Sequence, residues 1–262
     1  MAENNEIKVK SLQKALEILN LFTEKPVLGV TEVSEYFGLY KRTVHNILST
    51  LKAMEYLEQD EETGKYRLGI QIFNLSKALG DTYSITKIAG PYMQELSNYT
   101  GKRCYLAVPY RQEVLYLDAM YPADSIELMR SILGERAQMH CTGLGKAMLA
   151  NMGEREISDY LEHHKLEAFT ENSIIDKKQF REELLRTKQR GYALDDMEHE
   201  FGIKCIAMPV FDRTKNVYAA ISISGMANHF TDANIAERAM LLKKYIRKKE
   251  RQSKYVLHLL YF

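Results

Sequence analysis

The chain has 262 residues, 45% of them hydrophobic, with 36 Lys+Arg against 35 Asp+Glu and three cysteines. That length outgrows a single small module and predicts a second domain, while the near-neutral net charge says little either way about a nucleic-acid partner. An odd cysteine count without a C-x-x-C pair argues against a disulfide scaffold and a structural zinc site, and no run reaches the roughly 18 apolar residues of a membrane span.

The start, MAENNEIKVK, lacks the apolar stretch of a secretion signal, so a cytoplasmic protein is expected. Leu12, Ala15, Leu16, Leu19 and Phe22 then repeat at helical spacing, with Ser11 as candidate cap. Residues 31–51, TEVSEYFGLYKRTVHNILSTL, predict two short helices around a tight turn. Thr31 is the candidate N-cap, and Gly38 stands where a chain leaving a helix takes positive φ. Val44, Ile47, Leu48 and Leu51 make one buried stripe of the second helix. Arg42, His45, Asn46 and Ser49 lie opposite it, with Lys41 and Thr43 at the leading end. Arg can fork onto guanine and Asn onto adenine in the major groove; the plainer alternative is a helical hairpin with a solvated polar face.

Residues 56–69, YLEQDEETGKYRLG, predict a β-hairpin: strands at 56–59 and 65–68 around a turn closing at Gly64. Helix–turn–helix plus hairpin is a winged helix, and DNA binding becomes the favoured reading. Lys65 and Arg67 share a strand face and are candidates for phosphate or minor-groove contact. The first 80 residues hold ten Lys+Arg and eleven Asp+Glu, so the positive field must be local and one module's affinity modest. Residues 70–84 predict a linker helix through Ile72, Phe73, Leu75, Ser76 and Leu79, broken at Gly80 and Asp81.

Beyond residue 85 the pattern mixes helix and strand. Helices are expected at 91–99, starting on Pro91, and at 146–151, 154–161 and 176–190, with Asp232 capping a last one. Strands are expected at 104–109, 114–118, 193–194, 205–211 and 218–224. Strand pairs on tight turns with helices between them predict an α+β fold: an antiparallel sheet flanked by helices rather than a doubly wound parallel sheet. The expected domains are 1–69, winged helix; 70–84, linker helix; and 85–262, ligand binding and oligomerisation.

Three clusters in the second domain carry chemistry. In HCTGLGKAM, residues 140–148, the glycines suggest a phosphate loop, but His140 and Ala147 stand where a Walker motif needs Gly and Ser/Thr. A glycine loop opening a helix still suits an anion, the alternative being a tight helix entry. Asp195, Asp196, Glu198, His199, Glu200 and Cys205 resemble a metal or acid–base set, although such loop residues are expected to be solvated; no metal and no cofactor is expected. Ser222 and Ser224 alternate with Ile221 and Ile223, so both hydroxyls share one strand face, toward a polar pocket or toward solvent at an edge.

Together these features resemble the IclR family of bacterial transcription regulators. Gly191-x3-Asp195-x2-Glu198-x6-Cys205-Ile206-Ala207-x2-Val210-Phe211-Asp212 matches that family's signature in full, and HCTGLGKAMLA, ISISG and the winged helix fall in its order over about residues 9–245. The resemblance implies a winged helix-turn-helix with a C-terminal domain of GAF/profilin-like fold. It implies homodimers or tetramers on palindromic operators of double-stranded DNA, and regulation, as a repressor in the first instance, of a catabolic operon by a small organic acid such as a sugar-acid intermediate. Carried over by motif, the effector site is Gly143, Leu144, Asp195, Cys205, Ser222 and Ser224, with Ile126, Met129, Ala137 and Ile203 as apolar walls. Cys205 would be a small soft wall rather than a reactive thiol. Tyr40 and Asn46 depart from the Pro and Arg common in the family, so base preference does not transfer. The basic tail, 243–262, ends in apolar residues 256–262 that suit either docking on a partner subunit or a frayed end. Two rivals stand beside this reading: an acyl-transfer or hydrolytic enzyme using Cys205, His140 and Asp195, and a winged-helix protein-interaction module.

Overall fold

The computed structural model describes residues 7–82, 85–124, 132–212 and 214–256, without the side chains of 79–82 and 247–256. The chain divides into two compact units, Met1–Tyr83 and Ser84–Phe262.

The first unit is a winged helix. Helices α1 (Lys10–Leu21), α2 (Val30–Phe37) and α3 (Lys41–Ala53) are followed by a hairpin of β1 (Leu57–Gln59) and β2 (Tyr66–Leu68), then by α4 (Ile70–Thr82). Ile18, Leu21, Phe22, Val33, Val44, Leu48, Leu57 and Tyr66 form its core. Val44 and Leu48 are the fully buried part of the predicted stripe, with Ile47 and Leu51 partly buried beside them. Gly38 takes φ +63°, and nothing lies within 4 Å of where its Cβ would be, so glycine is needed there for conformation rather than space.

Three local expectations fail in this unit. The caps are not Ser11 and Thr31: α1 follows Val9, and α2 follows Gly29, whose N–H donates to Glu32 Oε2 at 2.5 Å. A carboxylate reaching back to the cap amide does the work expected of the Thr31 hydroxyl. Strand β2 starts at Tyr66, leaving Lys65 in the turn. Helix α4 runs unbroken through Gly80 and Asp81 to Thr82, because one glycine costs a helix only about 1 kcal/mol.

In the second unit α5 (Ile85–Thr100) leads into a hairpin of β3 (Arg103–Tyr110) and β4 (Glu113–Met120), then β5 (Arg136–Gln138). Helices α6 (Gly143–Leu149), α7 (Glu154–His163) and α8 (Lys177–Arg190) follow, then β6 (Ala193–Asp196), β7 (Ile203–Phe211), β8 (Val217–Met226) and α9 (Asp232–Val256). The six strands form one antiparallel sheet in the order β5-β4-β3-β8-β7-β6. Strand alternation sends Leu106, Val108, Ile206, Met208, Ile221 and Ile223 to the face covered by α5 and α9. The opposite face, under α6, α7 and α8, carries the smaller Ala107, Cys205, Ala207 and Ala220. Small residues there let α6 settle close to the strands.

Helix α5 begins six residues before Pro91, contrary to the expected start. Burial of Ile85, Ala89 and Met93 against the sheet outweighs the hydrogen bond that Pro91 forfeits inside the helix. Helix α6 already starts at Gly143, so the predicted glycine loop is its first turn, capped by Thr142 Oγ1 accepting from the Gly145 N–H at 3.1 Å. Asp232 is the first residue of α9, not its cap; the preceding Thr231 N–H donates to Asn234 Oδ1 at 3.1 Å. Strand β5 was not foreseen, since three residues carry too little alternation to be read. The apolar end at 257–262 lies outside the described residues, as does the side chain of Val256. Among the described residues no helix is long and apolar enough to cross a membrane.

Candidate functional site

On α3 the candidate DNA-reading residues Lys41, Arg42, Thr43, His45 and Asn46 are exposed and Ser49 is half-buried. They project opposite the Val44 and Leu48 anchors, which fix the helix by its buried side. Thr31, exposed in the first turn of α2, is near the start of the same helical pair. The wing cations are engaged: Lys65 Nζ meets Glu32 Oε1 at 3.0 Å and Arg67 meets Glu58 Oε2 at 3.1 Å. Both pairs are exposed, worth about 0–1 kcal/mol each, so a phosphate can displace the carboxylates at little cost. The contact of Lys65 with Glu32 also ties the wing to the N-terminus of α2.

The second unit holds a cavity of about 340 Å³ on the α6 side of the sheet. Its wall contains Ala137, Gly143, Leu144, Asp195, Ile203, Cys205, Ser222 and Ser224. Every predicted pocket residue within the described part of the chain is therefore brought together; Ile126 and Met129 lie outside the described residues. None of them lines the other cavity of similar size, about 330 Å³, around Arg111 and Asp159.

Register does the assembling. Asp195 pairs with Cys205, Cys205 with Ser224 and Ser224 with Arg103, so four side chains from four strands stand in one row. In the next row Ala207 pairs with Ser222 and Ser222 with Tyr105. Ser222 is fully buried, and among the described residues its Oγ has no hydrogen-bond partner. A buried unpaired hydroxyl costs about 1–3 kcal/mol, which a polar ligand atom would recover. The Cβ of a side chain at Gly143 would come within 3.0 Å of Cys205 Sγ, so glycine keeps α6 against β7 at the cavity.

Several wall residues escaped the sequence reading: Arg103, Tyr105, Tyr116, Tyr121 and Arg136; His199, read there as part of a metal or acid–base set, is on the wall as well. Tyr105 was accessible in principle, since it shares strand parity with the Ala107 face. Tyr105 and Tyr116 meet edge to face at 5.8 Å between ring centres, and burial pushes both phenols up, leaving them neutral donors.

The expected solvation of the acidic loop holds for Glu200, which is exposed, and in part for Asp196, which is half-buried, but fails for Asp195 and Glu198. Asp195 is 6% and Glu198 5% exposed, and Lys146 of α6 is fully buried in an ion pair with Glu198. Asp195 Oδ1 accepts the Glu198 N–H at 2.9 Å, which folds the loop back on itself and turns the carboxylates inward. Burial pushes Asp195 up to about 6 against the pull of Lys146 and the loop amides. Burial likewise pushes Glu198 up to about 7, although Lys146 opposes it.

The enzyme reading loses its geometry. His140 Nε2 contacts the Glu167 carbonyl at 2.9 Å and its Nδ1 faces the Tyr160 hydroxyl at 3.4 Å, so the ring is engaged away from Cys205. Cys141 rather than Cys205 faces a histidine, His199 at 3.6 Å. Burial pushes both thiols up to about 12, leaving neither with thiolate character near neutral pH.

Residues 78–250 match the family described as bacterial transcriptional regulator IclR C-terminal, and residues 11–61 match the IclR helix-turn-helix domain. The chain is 33% identical to the HTH-type transcriptional regulator XynR of Escherichia coli over 229 residues, 87% of this chain and 90% of that protein. It is 29% identical over 239 residues to the transcriptional repressor IclR of the same organism, covering 90% of this chain and 87% of the relative. Among solved structures, that of Thermotoga maritima IclR superposes with a TM-score of 0.78 at 28% identity, covering 93% of this chain and 98% of that one.

Proposed function

The chain belongs to the IclR family of bacterial transcriptional regulators, DNA-binding proteins and not enzymes, and from that premise we propose that a small organic acid in the α6 cavity controls its hold on an operator. In this reading the protein is a repressor of a catabolic operon. It acts as a symmetric dimer, or a pair of dimers, on a palindromic site. The observation that carries the effector assignment is the cavity itself: one buried, partnerless hydroxyl, a second serine, Asp195 and the first turn of α6 converge on about 340 Å³. The Gly143 and Leu144 amides, without intrahelical partners in a first turn, suit a carboxylate together with Ser222; Asp195 suits a ligand hydroxyl. Ala137, Ile203 and Cys205 would pack the carbon skeleton, and a hydroxy- or oxo-acid fits this mixture of walls. Ligand-induced change would reach the DNA-binding unit along residues 70–84.

The test is operator binding with and without candidate acids. Coupling in such two-site systems is typically about 1–3 kcal/mol, so effector should shift operator Kd roughly 5- to 150-fold, and operator should shift effector affinity equally. Replacing Ser222→Ala and Ser224→Ala together should abolish that response while leaving ligand-free operator affinity nearly intact. A double variant that still responds fully sinks this pocket.

On DNA, Arg42, His45, Asn46 and Ser49 would read bases while Lys41, Thr43, Thr31, Lys65 and Arg67 hold the backbone. Arg42→Ala and Asn46→Ala should each cost about 1–3 kcal/mol on the operator and relax specificity. Lys65→Ala should weaken operator and random DNA alike and flatten the salt dependence. Half-sites should be centred one helical turn, roughly 10 bp, or a multiple apart. Equal losses for Arg42→Ala on operator and random DNA, measured side by side, would exclude base reading by α3.

A further inference from the structure

Two buried carboxylates share one buried cation beside the cavity. Asp195 lies on the cavity wall; Glu198 and Lys146 do not line it. Lys146 binds Glu198 Oε1, and Glu198 Oε2 is buried with no hydrogen-bond partner among the described residues. With both acids ionised the trio carries one uncompensated negative charge in a place under a tenth exposed. Such a charge is costly to hold away from water, and a single proton on either carboxylate removes it.

Among the described residues the groups around the trio offer no other relief. Cys141 before α6, Cys205 of β7 and Tyr116 of β4 face it and are neutral, their protons held by burial. His199 and His140 are held toward the neutral form, again by burial. Asp196 is engaged by Lys204 at 2.8 Å. From the 166–173 segment Ser173 Oγ donates to the Glu198 carbonyl at 2.6 Å and the uncharged Asn172 amide to the Asp196 carbonyl at 3.0 Å. The cavity wall also carries Arg103, Arg136, Glu135 and Glu200, two charges of each sign, with Arg136 paired to Glu113 at 3.5 Å. The trio therefore decides the charge that a ligand meets.

We infer that Asp195, Glu198 and Lys146 hold one exchangeable proton and that an anionic effector binds with uptake of that proton. This rests on the effector reading of the cavity above. Glu198 is thereby a specificity-determining residue that never touches the ligand: through Asp195 it selects when an anion is admitted. An anion placed beside the trio makes the second negative charge dearer still, so binding raises proton affinity, and by linkage protons raise anion affinity. In the free protein burial holds Asp195 up at about 6 and Glu198 up at about 7. Anion affinity should thus be level near pH 5.5 and fall above neutrality, by up to about tenfold per pH unit.

Two measurements decide it, both on the full chain. The first is a potentiometric difference titration of ligand-free wild type against Glu198→Gln. Wild type should bind about one more proton between roughly pH 5.5 and 8.5, because the variant pairs Lys146 with Asp195 and needs none. The second is calorimetry of wild type with glycolate, gluconate and 4-hydroxybenzoate in two buffers of different ionisation enthalpy. It counts protons directly and needs no variant to fold. Net uptake near pH 7.5, absent in Glu198→Gln along with the pH dependence of affinity, supports the inference. No extra proton in the titration, or binding to wild type without proton exchange, overturns it; the latter leaves the pocket reading standing. An extra proton in the titration with none of the three acids bound overturns the pocket reading, and the coupling with it.

Discussion

Replacing Lys146 by methionine is expected to cost the C-terminal unit about 3–5 kcal/mol at pH 8, the usual penalty for deleting one partner of a buried ion pair. Methionine keeps most of the volume under α6, so the loss is electrostatic rather than a cavity. Asp195 and Glu198 would then share their buried site with no cation. The pH dependence has a definite sign. Both carboxylates are held above their ordinary values in the folded protein, so the native state binds more protons than the unfolded chain. Their protonated forms are easily accommodated at low pH, and stability falls as pH rises through the folded values. Without Lys146 those values climb further, so the variant should be nearer wild type at pH 6 than at pH 8. Urea unfolding followed by far-UV circular dichroism reads this out; the chain has no tryptophan to report by fluorescence. A loss below about 1 kcal/mol at both pH values would place the pair with ordinary surface ion pairs. Adding Glu198→Leu to Lys146→Met should restore much of the stability, since an apolar pair of similar volume carries no desolvation penalty.

Gly145→Ala should cost about 3 kcal/mol or more, against the sign that helix propensity predicts. In an open helix alanine gains about 1 kcal/mol over glycine. Here the added Cβ would stand 2.3 Å from both Cα and the carbonyl oxygen of Met139. Those are backbone atoms, which cannot swing aside as a side-chain end can, so α6 must lift. Lifting it strains the Thr142 cap and the contact of Gly143 with Cys205. For a unit of this size the loss should lower Tm by roughly 6–12 °C. Gly143→Ala has its tightest contact with the Cys205 sulfur at 3.0 Å and ordinary contacts at 3.4 Å with Ala207 Cβ and the Cys205 carbonyl, and should cost less. Thermal unfolding of the two variants checks the ranking, and a Gly145→Ala protein as stable as wild type would mean that α6 does not sit where the contact requires.

Much of this was legible because it is local. The buried stripe of α3 follows from a 3.6-residue period, and the shared face of Ser222 and Ser224 from a period of two. The turn at Gly38 follows from one backbone angle. Helix ends proved less legible, as Gly29 and Pro91 show. A cap depends on which neighbour reaches the amide, and a helix start on what the preceding turn can bury. The expected solvation of Asp195 and Glu198 failed for a related reason: acidic loop residues are ordinarily wet, as Glu200 is, and only a lysine delivered from α6 could bring Glu198 inside.

By itself, then, the sequence determined the winged helix, its exposed reading stripe, the antiparallel α+β class and the residue types on each strand face, all functions of neighbours a few positions apart. The tertiary structure alone decided the strand order, with β8 between β3 and β7, and the register that sets Asp195, Cys205, Ser224 and Arg103 in one row. It alone decided the burial of Lys146 against two carboxylates. Pairing partners such as Arg103 and Ser224 stand more than a hundred positions apart, and a one-residue slip would turn every side chain to the other face. Such choices are made by the packing of the whole sheet under its helices, which no local period records.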